Sequence, residues 1–216
     1  EASVSVPVNT VLSVTVSREA YEEARVGGRF FLARYHLGYR AVDRRIDDPR
    51  QLRALYERDV PNTTEQLLHG LSPAEEPLRR FGVDAEDGGG WAVEAPGDED
   101  RLGELFVRVA LSKTLSLERA AAAADGWGYD RLITYERNDT EAYVWVTRWD
   151  DPANATEFEA AFERYLDGRR DLSTTQSFRV ERLSETDVAV YSGPAGFVER
   201  ANATTAEDGV RVAVGR

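Results

Sequence analysis

The chain has 216 residues, 42% hydrophobic and 31% charged, a balance that builds a core and excludes a disordered chain. Its net charge of -12 repels nucleic-acid phosphates and anionic lipid, so nucleic acid is excluded as a partner. With no cysteine, disulfides, thiolate metal sites and thiol nucleophiles are excluded too, and no apolar run reaches the ~18 residues of a membrane span.

Residues 3–16 alternate, with Val4, Val6 and Val8, then Leu12, Val14 and Val16, which predicts one or two strands. Ser17 is placed to cap a short helix through Ala24, ended by Gly27-Gly28. An imperfect apolar stripe predicts a helix over 30–46, and Pro49 opens another to Tyr56. PNTTEQLLHG follows at 61–70. Thr63 or Thr64 caps it, Glu65 suits the positive end of a helix dipole, and His69 lies just before the stop at Gly70. Ser72 and Glu75 form a capping-box pattern.

The acidic, glycine-rich stretch 81–100 is the best boundary in the chain, with Trp91 to Val93 as a short strand inside it. Leu102, Leu105, Phe106 and Val109 then mark the clearest helix, and an alanine-rich helix over 117–125 ends at Gly126. Strands are expected at 131–136 and 142–149, joined by a turn at Asn138-Asp139. Thr156 and Glu159 suggest a capping box for an amphipathic helix bearing Phe158, Ala161, Phe162 and Tyr165. Strands at 177–183 and 188–191 and a last edge strand at 210–214 complete the pattern. The expected fold is α+β: an antiparallel sheet with helices packed on one face, after a mainly helical first half. The expected division is 1–97 and 98–216, the two forming one compact unit.

Chemistry is sparse. Glu65 and His69 stand at i and i+4, so they share a helix face and offer two ligands to zinc, with Glu104 as a candidate third. No HExxH occurs, and the same two residues are equally explained by helix-end charge. His36 lies between Tyr35 and Leu37 without catalytic company. There is no G-x-S-x-G nucleophile elbow and no phosphate-binding loop ending in Lys-Ser/Thr. In GWGYDR (126–131), Trp127 is expected over the sheet, with Asp130 or Arg131 holding the corner. Trp145, Trp149 and Tyr143 share one side of a strand, which is core if inside and a recognition surface if outside. Trp91 and Trp127 are the aromatics proposed for an exposed recognition patch.

Four N-x-T triplets begin at Asn62, Asn138, Asn154 and Asn202, each in a predicted loop or helix start where a glycan fits. Lys113 is the only lysine, and many carboxylates with almost no lysine suit concentrated salt, where surface repulsion is screened.

The pieces NTTEQLLHG (62–70), DRLGELF (100–106), GWGYDR (126–131) and VTRWDDPANATEFEAAF (146–162) resemble a family of haloarchaeal surface proteins, often lipid-anchored, of unestablished function. Similar pieces occur in bacterial proteins behind a zinc-peptidase-like region. Here the corresponding upstream stretch holds only His36, so the resemblance implies peptidase-like ancestry without peptidase activity. The resulting expectation is a non-catalytic binding or structural protein, extracellular and glycosylated. It would meet a cell-surface protein or glycan and be held to the membrane by a lipid anchor upstream of Glu1. The alternative is a zinc-dependent hydrolase built on Glu65, His69 and Glu104.

Overall fold

A computed structural model describes residues 18–51, 53, 57, 60–94, 101–169 and 175–215. The strands expected within 3–16 and most of the helix expected after Pro49 lie outside the described residues, apart from a single 3-10 turn at Pro49–Gln51. The fold is α+β, as the alternation of strand and helix patterns implied. It divides into two compact units between Glu76 and Pro77, upstream of the expected boundary at 97/98. The reason lies in pairing. The glycine-rich stretch supplies two strands, β1 (Gly82–Ala85) and β2 (Ala92–Val93), and both hydrogen-bond to strands of the second unit.

The described elements of the first unit are helical: α1 (Arg18–Glu23), α2 (Val26–Asp43) and α3 (Thr64–His69). Helix α2 starts before the expected Phe30, running through Gly27-Gly28. Glycine costs the helix backbone entropy of roughly 1 kcal/mol per residue but keeps its N–H, so it weakens the first turn without breaking it. His36 is buried on α2, its ring stacked 5.2 Å from Tyr21 of α1. Arg44 and Arg45 reach from the end of α2 to the carbonyls of Leu68 and Leu71, at 3.2 and 2.8 Å, and so neutralise the negative end of α3.

The second unit has three layers. Its central layer is an antiparallel sheet in the order β2-β3-β4-β6-β5, with β3 (Trp127–Arg137), β4 (Thr140–Trp149), β5 (Ser177–Arg182) and β6 (Asp187–Gly193). Asn138 and Asp139 turn β3 into β4 with φ of 50° and 57°, the left-handed pair that a two-residue hairpin requires. Alternation sends Ile133, Tyr135, Val144, Val146 and Tyr191 to one face, and Trp145, Trp149, Val188 and Val190 to the other. Both faces are covered, which answers the question posed by Trp145 and Trp149: they are core.

Helices α4 (Gly103–Leu111), α5 (Leu117–Ala122) and α6 (Pro152–Asp167) cover the tryptophan face. Helix α6 does not start at the expected Thr156. Asp151 caps it, accepting from the N–H groups of Ala153 and Asn154 at 2.8 and 2.9 Å, and Pro152 occupies the first turn. Thr156 therefore lies inside the helix, and its hydroxyl bonds back to the Pro152 carbonyl at 2.7 Å. Glu159 pairs with Arg182 of β5 instead of capping.

A second sheet covers the other face, in the order β1-β8-β7, with β7 (Ala201–Ala206) and β8 (Gly209–Val214) following the short helix α7 (Ala195–Val198). The segment expected as an edge strand is thus the middle strand of its own sheet, parallel to β1 and antiparallel to β7. Tyr191 ties the two sheets together. Its hydroxyl accepts from the Ala203 N–H at 2.8 Å and donates to Glu181 at 2.9 Å.

Candidate binding cavity

The residues singled out in the sequence belong to both compact units. In α3, Thr63 accepts from the Gln66 N–H at 3.0 Å, and Gly70 closes the helix at φ 73°, a left-handed turn that lets Leu71 N–H reach the Gln66 carbonyl. Gln66 is fully buried and uses both ends of its amide, accepting from Asn62 N–H at 2.8 Å and donating to the Glu76 carbonyl at 2.7 Å. PNTTEQLLHG is therefore a capped helix whose buried polar residue staples the loops on either side. Glu65 is buried and His69 exposed on this same helix, in the first unit. Glu104 belongs to α4 of the second unit, fully buried, and its carboxylate is engaged by Arg108 one turn later.

Trp91 and Trp127 do not form an exposed patch. They are 3% and 0% exposed. Trp91 packs edge-on against Phe197 of α7 under the Arg137 guanidinium, and Trp127 sits in the helix-side core. The indole N–H of Trp127 donates to Asp130 at 2.9 Å, as a buried tryptophan requires. Asp130, also fully buried, does more than hold its corner. It accepts at 2.7 Å from the N–H groups of both Leu102 and Gly103, and so caps α4, which has no capping side chain of its own. Burial pushes its carboxyl up to about 6, outweighing these hydrogen bonds and the charge of Arg101. Gly126, at φ 73°, admits Asn154 where a Cβ would stand 2.4 Å from the Asn154 side chain.

The feature open to a ligand is a cavity of about 370 Å³ between α4, α6 and the five-stranded sheet. Leu102, Phe106 and Ala110 of the α4 region and Phe162 and Tyr165 of α6 form its roof; its floor is laid by β3 to β6. It arises because Phe106 meets Trp145 edge-on at 5.5 Å while Trp145 meets Phe158 the same way at 5.8 Å. Above these rings the small Ala110 of α4 leaves space in the wall. The wall is almost wholly carbon, and among the described residues no His, Asp, Glu, Lys or Arg lines it. The few polar groups at its edge are the Tyr143, Tyr165 and Ser192 hydroxyls and the Trp145 indole. The carboxylate of Glu141 holds the Tyr143 hydroxyl, pushing it up to about 12 and keeping it a neutral donor. The signal in the sequence was present but unread: Leu102, Phe106 and Ala110 recur on one α4 face, and Phe162 and Tyr165 recur on α6. Periodicity marks such faces as buried without showing where their packing stops short.

Size and lining make this an α+β domain with an apolar ligand-sized cavity under its helices, at the lower end of the range typical of small-molecule sites. The chain belongs to the family described as Domain of unknown function (DUF8575), whose model matches residues 92–213. The matched segment takes in the whole cavity wall and leaves out β1. No curated protein and no solved structure matches the chain.

Proposed function

We propose that this is a non-catalytic binding protein of the envelope of a halophilic archaeon, and that the cavity under α4 and α6 receives a small apolar molecule. The cavity itself carries the reading: an apolar space of about 370 Å³ whose wall, among the described residues, includes hydroxyl-bearing Tyr143, Tyr165 and Ser192 but no acid, base or metal ligand. Such a wall favours holding a molecule over transforming it. Calorimetry with decanol tests the reading on the full chain. One-to-one binding is expected, with a rise in the unfolding midpoint as the ligand favours the folded state. Ala110→Trp fills the cavity and should weaken binding at least about tenfold, the scale of burying a few methylenes. Binding unaffected by that change would overturn the assignment.

The location part of the proposal rests on the sequons. Asn62 and Asn138 are exposed, Asn138 at the tip of the β3-β4 hairpin. Asn202 is exposed too, although it sits on β7 and not in the expected loop. Asn154 is half-buried in the first turn of α6, its side chain packed over Gly126, where a sugar has no room. Glycopeptide analysis of protein from the native host should therefore find sugar at Asn62, Asn138 or Asn202 and none at Asn154. Protein bare at all four would sink the envelope assignment. Among the described residues no helix is long and apolar enough to cross a membrane.

A further inference from the structure

The two ends of the cavity floor differ in chemistry. Strand register lays the floor out in rows. One row crosses β3, β4 and β6 as Leu132, Trp145 and Val190 and presents carbon to the space above it. The other crosses β4, β6 and β5 as Tyr143, Ser192 and Phe178 and carries two hydroxyls. Arg169, two residues beyond the end of α6, lies over the Phe178 end of this second row. Its guanidinium carbon is 4.8 Å from the centre of the Phe178 ring and 5.4 Å from that of Tyr165, and its Nη1 donates to the Tyr165 hydroxyl at 2.5 Å. Close by in the same row, Ser192 Oγ accepts from Gln176 Nε2 at 3.0 Å, which leaves its own proton to offer.

The environment of Arg169 differs from that of Arg108, Arg148 and Arg182, which are also half-buried in this unit. Arg108 faces Glu104, Arg148 faces Asp187 and Arg182 faces Glu159. Arg169 is likewise half-buried, yet among the described residues its guanidinium meets a phenol and two rings and no carboxylate. In a chain of net charge -12, carboxylates are plentiful, yet among the described residues none meets this cation at the edge of the apolar space, and Nη1 alone of its donor fork bonds to one of them. Glu141 is at the far end of the row, on Tyr143. Two strand spacings, roughly 10 Å, separate that end from Phe178.

Building on the cavity as a ligand site, we propose that its ligand is an anionic amphiphile with a single carboxylate: an apolar body lies over Leu132, Trp145 and Val190, and the carboxylate lies against Arg169 and the Ser192 hydroxyl. The test compares decanoate with decanol by calorimetry on the full chain. Decanoate should bind about tenfold more tightly, the usual margin of a charge-assisted hydrogen bond at a partly buried site. Arg169→Gln should bring decanoate down to the level of decanol and leave decanol unchanged, and Arg169→Lys should restore part of the difference. A variant-free reading comes from salt: the decanoate-to-decanol affinity ratio of the wild type should fall as salt rises. Equal affinities in the wild type, or a ratio indifferent to both Arg169→Gln and salt, would overturn the carboxylate assignment while leaving an apolar site. Failure of both ligands to bind would overturn the cavity reading itself.

Discussion

At Asp130, local geometry and burial oppose each other. Two backbone N–H groups and an indole N–H point at the carboxylate and favour its charge, while burial disfavours it more strongly and raises it from 3.8 to about 6. A carboxyl raised on folding makes the folded state the better proton binder. Its contribution to stability is therefore fully present below the unfolded value near 3.8 and is lost as pH rises through about 6. In urea titrations, wild type should gain on Asp130→Asn by about 2 kcal/mol as the pH is lowered from ~7 to ~4. Comparison with the variant removes the parallel relief of surface repulsion, which both proteins share. A gap that stays constant with pH would show that the hydrogen bonds cancel the effect of burial, and one that widens as pH rises would show that they outweigh it. The sequence pointed to this corner, since GWGYDR placed a carboxylate beside a tryptophan between two glycines. It did not disclose that the same carboxylate caps a helix from a neighbouring element, because capping from outside the helix leaves no local pattern.

Among the elements, those whose boundary signals are local and unopposed were readable. Ser72 and Glu75 form the expected capping box, with Ser72 N–H donating to Glu75 at 2.9 Å and Glu75 N–H to Ser72 at 3.3 Å. The similar Thr156/Glu159 pattern misled because a stronger start signal, Asp151-Pro152, lies a turn earlier. Once the helix has begun, a threonine bonds inward and the glutamate is free to pair with Arg182. At α3 the capping threonine and the sequon threonine are neighbours, so the two roles can be separated. Thr63→Ala removes the cap and preserves the Asn62-Thr63-Thr64 sequon pattern at its first and third positions. It should cost about 1 kcal/mol, seen as faster hydrogen exchange at the amides of 66–70. Exchange unchanged there would mean that Gln66 and its loop contacts, not the cap, hold the helix.

At the scale of the whole chain, periodicity discloses the class but not the arrangement. The α+β class followed from counting strand and helix periods, but the second sheet did not. Nothing in the local sequence of Val210 to Val214 distinguishes the centre of a separate sheet from an edge, since period two records faces and not neighbours. The glycine-rich stretch looked like a boundary for a similar reason. Its strands are very short, and their partners are far along the chain. Charge acts on the chain as a whole. A net charge of -12 on a chain with Lys113 as its only lysine makes the folded surface self-repelling at low ionic strength. The thermal midpoint should rise as salt goes from about 0.1 M to about 1 M, over which the screening length falls from about 10 Å to about 3 Å. A flat midpoint would argue that the acids are already matched by neighbouring arginines, as Asp187 is by Arg148.

The parallel pairing of β1 with β8 has a consequence for biosynthesis. A ribosome delivers β1 long before β8, and β7 just ahead of it, so both flanking strands emerge while the strand that must join them is still being made. Until then the inner face formed by Val144, Val146 and Tyr191 has no second sheet to cover it. From the completion of β6 until β8 emerges, the nascent protein thus carries an open apolar surface, and β8 acts as the bolt that closes it. Closing so distant a pair is slow, which gives holding chaperones a defined target. It also makes the last few residues of the strand a sensitive place to shorten the chain.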